Sequence, residues 1–305
     1  MKKEFYSNGK LLLSGEYAIL DGAMGLAIPT KYGQSLKITS NNIKALHWKS
    51  LNEKNEIWFQ AEFDLKHFEV ISSSDKEASK TLSGLLLEAK RQNPDFLLGS
   101  LGVQVETKLD FPRDWGLGTS STLINNLAQW AEVDAYQLLW NAFGGSGYDI
   151  ACAQHNTPIT YQLREGTPHV AKVNFEPSFK ESLYFIYLNQ KQSSKKAIAS
   201  YKTKEFNKER LIQDVSLITQ QMISASSLEE FEDLMEKHEI LLSKILGVPT
   251  IKSKLFSDYP GAIKSLGAWG GDFIMVTGNE KTLSYFYDKG YRTHILFSKM
   301  LLSST

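Results

Sequence analysis

The sequence predicts an α+β protein of two domains, and three observations lead to this fold class. The chain has 305 residues, which is long for a single domain. Short strand-like patterns open the chain, helix-period patterns dominate its middle, and its end mixes the two. We place the boundary between residues 160 and 205, with domains at 1–180 and 181–305. The lysine-rich polar stretch 190–208 is interpreted as the link.

Composition limits the kinds of partner. A hydrophobic content of 42% is ample for a sizeable core, which excludes a disordered chain. Lys plus Arg and Asp plus Glu each total 34, so the formal net charge is zero. The chain therefore has no excess of basic residues that would favour binding to nucleic acid or to an anionic membrane. We therefore expect a small-molecule partner. Nothing in the pattern specifies an oligomeric state.

Cysteine usage and apolar runs predict a cytoplasmic protein. The single cysteine, Cys152, excludes an intramolecular disulfide and suits a reducing compartment. The apolar run near the start, Leu11–Leu13, is far shorter than the core of a signal peptide. No apolar run approaches the length of a membrane span.

The first part of the chain reads as strands, one helix and a further strand. From 10 to 38, short apolar stretches are broken by glycines and Pro29, which predicts strands and tight turns. "IWFQAEF", 57–63, is a strand candidate. Residues 76–92 place leucines at helical spacing and stop at Asn93-Pro94. "LGVQVETKL", 101–109, alternates as a half-buried strand does, and it leads into a glycine-rich loop.

The remainder alternates helices and strands. Helical spacing predicts helices at 120–132, 134–143, 209–224, 228–246 and 280–289. Short apolar runs predict strands at "PITYQL", "SLYFIYLNQ", "FIMVTG" and "YRTHILF".

Four glycine-centred clusters carry the chemical signal: "SNGKLLLSGEYAILDG", "WGLGTSST", "GGSGYDIA" and "LGAWGGDF". A glycine-rich turn that ends at a helix N-terminus presents backbone N–H groups and the positive end of the helix dipole, which suit a phosphate. "GLGTSST" followed by "LINNLAQW" fits this description. An ordinary N-cap explains the loop equally well, because Ser and Thr are common before helices. Neither a Walker A motif nor a Rossmann fingerprint is present.

Phosphoryl transfer requires a phosphate cradle, a metal ligand, a cation and a base, and each part has a candidate. Ser120 and Ser121 offer hydroxyls to Mg²⁺, Lys10 is the cation, and Asp149 is the base. Taken singly, Lys10 is also explained as a solvated lysine and Asp149 as a carboxylate beside a helix dipole. The four parts together favour phosphoryl transfer.

These motifs, in this order, resemble those of the galactokinase, homoserine kinase, mevalonate kinase and phosphomevalonate kinase superfamily, the GHMP kinases. The resemblance covers residues 9 to about 275. "GEYAILDG" is most similar to the opening motif of mevalonate and phosphomevalonate kinases, and "GSGYDIA" is similar to that of phosphomevalonate kinases. The resemblance to this superfamily implies a two-domain fold, with a left-handed βαβ unit in the N-terminal domain and a ferredoxin-like C-terminal α/β sandwich.

The resemblance also implies roles for individual residues. Lys10 would lie near the transferred phosphate, Asp149 would be the catalytic aspartate, and Ser121 would bind magnesium. The nucleotide would be bound by Gly116, Leu117, Gly118, Thr119, Ser120, Ser121, Gly270 and Gly271. The acceptor would be bound by Glu16, Tyr17, Gly147 and Tyr148. The third glycine loop, Gly267–Asp272, would close the site. Trp115 and Trp269 stand where these motifs usually have small residues.

The expected activity is ATP- and Mg²⁺-dependent phosphorylation of a small-molecule hydroxyl, with mevalonate, an intermediate of isoprenoid biosynthesis, as the first candidate acceptor. Phosphomevalonate kinase and diphosphomevalonate decarboxylase remain alternatives within the superfamily. An alternative from a different class is a non-catalytic protein that binds a ligand or partner, which Trp269 motivates because a large side chain replaces glycine there.

Overall fold

The computed structural model describes residues 2–191 and 194–302, and it confirms an α+β protein. The strands are β1 Lys2–Ser14, β2 Gly25–Ser40, β3 Leu46–Leu51, β4 Ile57–Phe63, β5 Val70–Ser73, β6 Val103–Leu109, β7 Ile159–Arg164, β8 Thr167–Lys172, β9 Leu183–Tyr187, β10 Ile263–Ser265, β11 Phe273–Thr277 and β12 His294–Leu296. The α-helices are α1 Lys76–Gln92, α2 Thr119–Ala131, α3 Ala135–Ala142, α4 Tyr148–Gln154, α5 Ser194–Lys202, α6 Lys208–Ser224, α7 Leu228–Leu246, α8 Ile251–Leu255, α9 Glu280–Asp288 and α10 Phe297–Met300. Among the described residues, no helix is long and apolar enough to cross a membrane.

The chain forms two compact units that are discontinuous in sequence. The first unit holds the residues up to Gly9 together with Tyr32–Arg113 and Leu117–Gln154. The second unit holds Lys10–Lys31, Asp114–Gly116 and the residues from His155 onward. The last change between units therefore lies at 154/155, whereas the sequence analysis places the domain boundary at 180/181.

The first unit is a sheet covered by helices. Its strand order is β5-β4-β3-β6-β2, in which β3 and β6 are parallel and the other neighbours antiparallel. Asp75 caps α1 by accepting from the N–H groups of Glu77 and Ala78. Alternate residues of the strands, such as Trp48 and Phe59, join the leucines of α1 in one buried core, as a pleated strand requires.

The second unit contains a four-stranded antiparallel sheet in the order β10-β11-β9-β12. In chain order the strands are β9, β10, β11 and β12, with α5 to α8 between the first two and α9 between the last two. This is the ferredoxin-like arrangement that the resemblance implies. The opening residues of β2, Gly25–Ala27, pair with β7, which in turn pairs with β8.

One sequence prediction was confirmed in kind and another was wrong in detail. Residues 10–38 form strands and a tight turn, as predicted. They belong to the long strands β1 and β2, joined by a 3₁₀ turn at Ala18–Asp21, because the left-handed glycines Gly15 and Gly22 interrupt the chain only around that turn. The lysine-rich stretch 190–208 is not simply a linker, since it contains α5. Lysine and alanine favour helix, and Tyr201 anchors α5 in a buried cluster.

Candidate functional site

Helix α2 begins directly after a glycine. Gly118 is the N-cap residue and has a φ of 96°, a left-handed conformation that glycine adopts without strain. Because glycine has no side chain, the N-cap residue contributes no side-chain hydrogen bond to the first turn. Ser121 is buried and its Oγ donates to the carbonyl of Gly118 over 3.0 Å, whereas Ser120 is exposed.

Buried amides hold α2 in the first unit. The side chain of Asn125 donates to Ser7 Oγ over 2.8 Å and accepts from Gln154 of α4 over 3.1 Å. Asn126 donates to the carbonyl of Gln34 over 2.8 Å. We define the amide network as the buried polar residues Ser7, Gln34, Thr122, Asn125 and Asn126. The network links α2 to β1, β2 and α4, and α4 carries Asp149.

Asp149 lies in the first turn of α4, half-buried. Its Oδ1 accepts from the N–H of Ile150 over 3.1 Å. Gly147, just before the helix, has a φ of 92°, and Tyr148 beside it is half-buried. This placement is compatible both with a base and with an ordinary carboxylate at a helix start, so the catalytic role stays a prediction.

Lys10 contacts the first residue of the predicted phosphate loop. Its Nζ donates to the carbonyl of Gly116 over 2.7 Å, which brings together two motifs separated by 106 positions. Gly116 has a φ of 67°, and a Cβ built there would lie 2.4 Å from Asp272 Oδ2. The carboxylate of Asp272 therefore lies against Gly116, so a larger residue at 116 would displace that carboxylate and would be strained by the positive φ. Within the second unit, Lys10, Gly116 and the end of the third glycine loop meet.

Trp115 anchors the segment that leads into this loop. Its ring packs edge-on against Phe273, with centroids 5.4 Å apart, and also contacts Tyr187. The hydroxyl of Tyr187 donates to the carbonyl of Asp114 over 3.3 Å. The large residue at 115 therefore fastens Asp114–Gly116 to β9 and β11 of the second unit.

The third glycine loop is bound to Tyr17. The backbone N–H of Trp269 donates to the Tyr17 hydroxyl over 3.1 Å, and the Tyr17 ring stacks on Tyr201 with centroids 5.4 Å apart. The indole of Trp269 packs against the same buried cluster. Gly270 has a φ of 91°, and Gly271 is buried. The contacts of Gly270 and Gly271 with a nucleotide, and of Tyr17 with an acceptor, stay predictions.

Glu16 is enclosed in the protein. Its side chain is 1% exposed, and Lys264 Nζ, which is 0% exposed, donates to Glu16 Oε1 over 2.7 Å. The structure therefore gives Glu16 an internal partner that the sequence analysis did not foresee. A direct contact of Glu16 with an acceptor stays a prediction.

Glu16 and Lys264 belong to a larger group, which we call the buried ionic cluster: Glu16, His238, Glu239 and Lys264. His238 Nε2 accepts from the N–H of Gly15 over 3.1 Å, and burial, together with Lys264, lowers the pKa of His238 well below its usual value. Burial raises the pKa of Glu239 to about 8, although Lys264 opposes that rise. Burial also raises the pKa of Glu16, and Lys264 again opposes the rise.

Three members of this cluster, His238, Glu239 and Lys264, were not predicted as site residues, although the sequence carries signals for them. His238 and Glu239 lie within the apolar stripe of α7, near Leu234, Met235 and Leu242. Lys264 is a single charge in the apolar run "GAIKSLGAW". A charged residue at an apolar position predicts a buried partner, but the pattern does not say which residue that partner is.

The residues expected to hold magnesium are oxygen donors in the first unit. Across residues 2–191 and 194–302, no three His, Cys, Asp or Glu side chains are grouped so that they could hold a metal ion. Mg²⁺ commonly keeps several waters and binds through one or two protein oxygens together with substrate phosphates. The Ser121 hydroxyl in the first turn of α2 is an oxygen donor of this kind, so the residues present fit a substrate-bound Mg²⁺.

Nearly the whole chain is similar in fold to solved structures that include a mevalonate kinase and a phosphomevalonate kinase. A Lin0012 protein from Listeria innocua matches with a TM-score of 0.73 at 17% identity, covering 97% of each chain. The mevalonate kinase of Methanococcus jannaschii matches with a TM-score of 0.68 at 15% identity, again covering 97% of each chain. The phosphomevalonate kinase of Streptococcus pneumoniae, in complex with phosphomevalonate and AMPPNP, matches with a TM-score of 0.69 at 14% identity, covering 96% of this chain and 99% of that one.

These similarities define the class of fold. No family model matches the sequence. No curated protein matches it in sequence. The chain therefore has the GHMP kinase fold, as its motifs predict, over nearly its full length.

Proposed function

We propose that this protein is an ATP-dependent kinase that phosphorylates a hydroxyl of a small molecule, with mevalonate as the first candidate acceptor. The observation that carries the proposal is the contact between Lys10 Nζ and the carbonyl of Gly116 at 2.7 Å. It joins the cation of the first motif to the loop of the second, as phosphoryl transfer requires. The GHMP kinase fold supports the same class of reaction by analogy.

The chain supplies several parts of the reaction. Bound ATP would supply the γ-phosphoryl group, and Mg²⁺ would offset charge on its phosphates. The first turn of α2 directs backbone N–H groups and a helix dipole at a phosphate, and Ser121 offers its hydroxyl to the metal. Lys10 stabilises the negative charge that develops during transfer. Gly270 and Gly271 allow backbone to approach the nucleotide.

Asp149 acts as the base in this proposal. It orients the acceptor hydroxyl and takes its proton while the acceptor oxygen forms a bond to the γ-phosphorus. The bond from that phosphorus to the β–γ bridging oxygen breaks, and ADP leaves. Gly147 and Tyr148 precede Asp149 and are the residues of the first unit proposed to contact the acceptor.

The test measures ADP release with mevalonate, phosphomevalonate, diphosphomevalonate, homoserine and galactose. We expect turnover with one of these acceptors, and Asp149→Asn to lower kcat about 10²- to 10⁴-fold while ATP binding stays nearly unchanged. Asp134→Asn is the matched control, because Asp134 also begins a helix, where it caps α3. Its turnover should match that of the wild type.

The same measurements separate the alternatives. A preference for phosphomevalonate over mevalonate, by KM and by titration, would identify a phosphomevalonate kinase. Release of carbon dioxide from diphosphomevalonate would identify a decarboxylase. If no acceptor gives ADP and calorimetry with ATP and Mg²⁺ detects no binding, the kinase proposal is wrong and a non-catalytic binding protein is favoured.

A further inference from the structure

The turn that follows β1 is held by buried polar contacts from several elements of the second unit. We call residues Ser14–Tyr17 the motif-one turn; all four are buried. Its contacts are Ser14 Oγ with Thr219 Oγ1 of α6 at 2.8 Å, Gly15 N–H with His238 Nε2 of α7 at 3.1 Å, Glu16 with Lys264 of β10 at 2.7 Å, and Tyr17 Oη with Trp269 N at 3.1 Å. Consecutive residues of the turn are thus bound to different parts of the unit.

Among these contacts, the one between Glu16 and Lys264 joins two oppositely charged side chains. Both side chains are almost wholly excluded from solvent, where the attraction between opposite charges is little screened. Such a pair adds little net stability compared with apolar residues of the same volume, but removing one partner leaves a buried charge without compensation. The pair therefore determines where the turn can lie more than how stable the fold is.

The charges of the cluster fit this interpretation. Lys264 is the cation, and its ammonium donates to Glu16 and to the carbonyl of Ser265. Glu239 accepts instead from the N–H and hydroxyl of Ser265, at 3.0 and 3.1 Å. His238 accepts a backbone N–H through Nε2. Glu16 is therefore the carboxyl that accepts from the ammonium, through Oε1, while its Oε2 lies 3.3 Å from His238 Nε2.

We propose that Lys264 is a positioning residue: through Glu16 it fixes the motif-one turn and hence the end of the strand that carries Lys10. The catalytic consequence rests on the proposed kinase function, in which Lys10 is the cation. Lys10 precedes Ser14 on the same strand by a span of roughly 13 Å, so a displaced turn displaces the lysine. Glu16 then acts inside the protein and does not contact the acceptor.

The experiment compares Glu16→Gln, Lys264→Met and the double variant by steady-state kinetics. Each single change should lower kcat about tenfold or more, because small displacements of reacting groups are costly, with the acceptor KM nearly unchanged. The double variant leaves no unpaired charge and should recover most of the lost kcat. Lys252→Met, at a surface ion pair with Glu236, is the control and should behave as the wild type.

Two kinetic outcomes would overturn the proposal. If Glu16→Gln raises the acceptor KM about tenfold whether or not Lys264 is also replaced, Glu16 contacts the acceptor. If the two kcat losses multiply in the double variant, the residues act independently. Should Lys264→Met fail to fold, Glu16→Gln, which keeps the size of the side chain, supports the same comparison with the double variant.

A measurement without turnover separates this proposal from the kinase function. Amide hydrogen exchange of residues 11–17 should be faster in Lys264→Met and return towards the wild-type rate in the double variant, relative to amides of α1. If the wild-type protein transfers no phosphate but the two variants show this exchange pattern, only the kinase function is wrong. Unchanged exchange at the motif-one turn in Lys264→Met would overturn the positioning role itself.

Discussion

The two units bury polar groups next to their predicted functional residues in different ways. The first unit uses the amide network, whose members are neutral amides and hydroxyls, to hold α2 and α4. The second unit uses the buried ionic cluster to hold the motif-one turn. Both groups are nearly inaccessible to solvent, so the difference between them is one of charge rather than of depth.

The difference in charge determines how each group responds to mutation and to pH. A neutral network loses hydrogen bonds when one member is removed, and its protonation does not change near neutral pH. An ionic cluster must remain balanced, because a charge left alone in a medium of low dielectric costs far more than a missing hydrogen bond. The second unit should therefore be the more sensitive to a single substitution and to pH.

The largest effect is expected from Lys264→Met at pH 7. This change leaves the Glu16 carboxylate buried without a cation and should lower the free energy of unfolding by about 3–5 kcal/mol. Urea denaturation measures the loss, and Lys252→Met at the surface should change it by less than about 1 kcal/mol. A loss for Lys264→Met no larger than that of the control would remove the distinction between the units.

The second prediction concerns Glu239 and pH. Its pKa is about 8 in the folded protein and about 4.5 when unfolded, so between these values the folded state holds a proton that the unfolded state lacks. The resulting stability is present below pH 4.5 and is lost as the pH rises through 8. Below about pH 6.5, protonation of His238 in the unfolded state opposes this trend. Between pH 6.5 and 8 the free energy of unfolding should therefore fall by about 2 kcal/mol.

Glu239→Gln should flatten this decline, as urea denaturation across the pH range would measure. The groups that face Glu239 are Ser265 and Lys264 from β10 and Glu16 from the motif-one turn. Glu236→Gln, on an exposed position of the same helix, is the control and should keep the wild-type slope. An unchanged slope in Glu239→Gln would mean that another group titrates, and the cluster would then lack the proposed sensitivity.

The third prediction addresses the amide network. Asn126→Ala removes the acceptor of the Ser7 hydroxyl proton and the side-chain donor to the Gln34 carbonyl, which should cost about 1–3 kcal/mol. The loss should be the same at pH 6.5 and pH 8, because no member of the network titrates there. Asn141→Ala, on the exposed side of α3, should cost less than about 0.5 kcal/mol. A pH-dependent loss at Asn126 would contradict the contrast between the units.

Local sequence patterns predicted most of the helices and strands. The helix at 76–92 is α1, the helix at 228–246 is α7, and the strand at 57–63 is β4. Their apolar spacing and caps are local features, as with Ser227, whose side chain accepts from the N–H of Glu230. Helix α5 was missed because the lysines of "SKKAIASYK" obscure its apolar period, and Tyr201 contributes through tertiary packing that no local pattern shows.

Some features of the candidate site are also determined by nearby residues in the sequence, and others by residues far away in it. The left-handed glycines Gly116, Gly118 and Gly147 lie in motifs that the sequence displays directly. The partner of Glu16 lies 248 positions away, so its identity depends on how β10 pairs in the sheet and not on any nearby residue. A pattern can identify a charge in an apolar run, but only the fold pairs that charge with another.

The smallest effect is expected from Tyr17→Phe, and it tests whether charge or location underlies the difference between the units. Tyr17 is next to Glu16 in sequence, yet its hydroxyl accepts a hydrogen bond from the neutral backbone N–H of Trp269. Because burial raises the pKa of Tyr17, its side chain stays uncharged near neutral pH. Losing this hydrogen bond should cost about 1 kcal/mol, independent of pH, as measured by urea denaturation at pH 6.5 and 8. If the loss instead approaches that of Lys264→Met, the motif-one turn is sensitive because of where it lies, and charge is not the cause. A small, pH-independent loss assigns the sensitivity of the second unit to its buried charges.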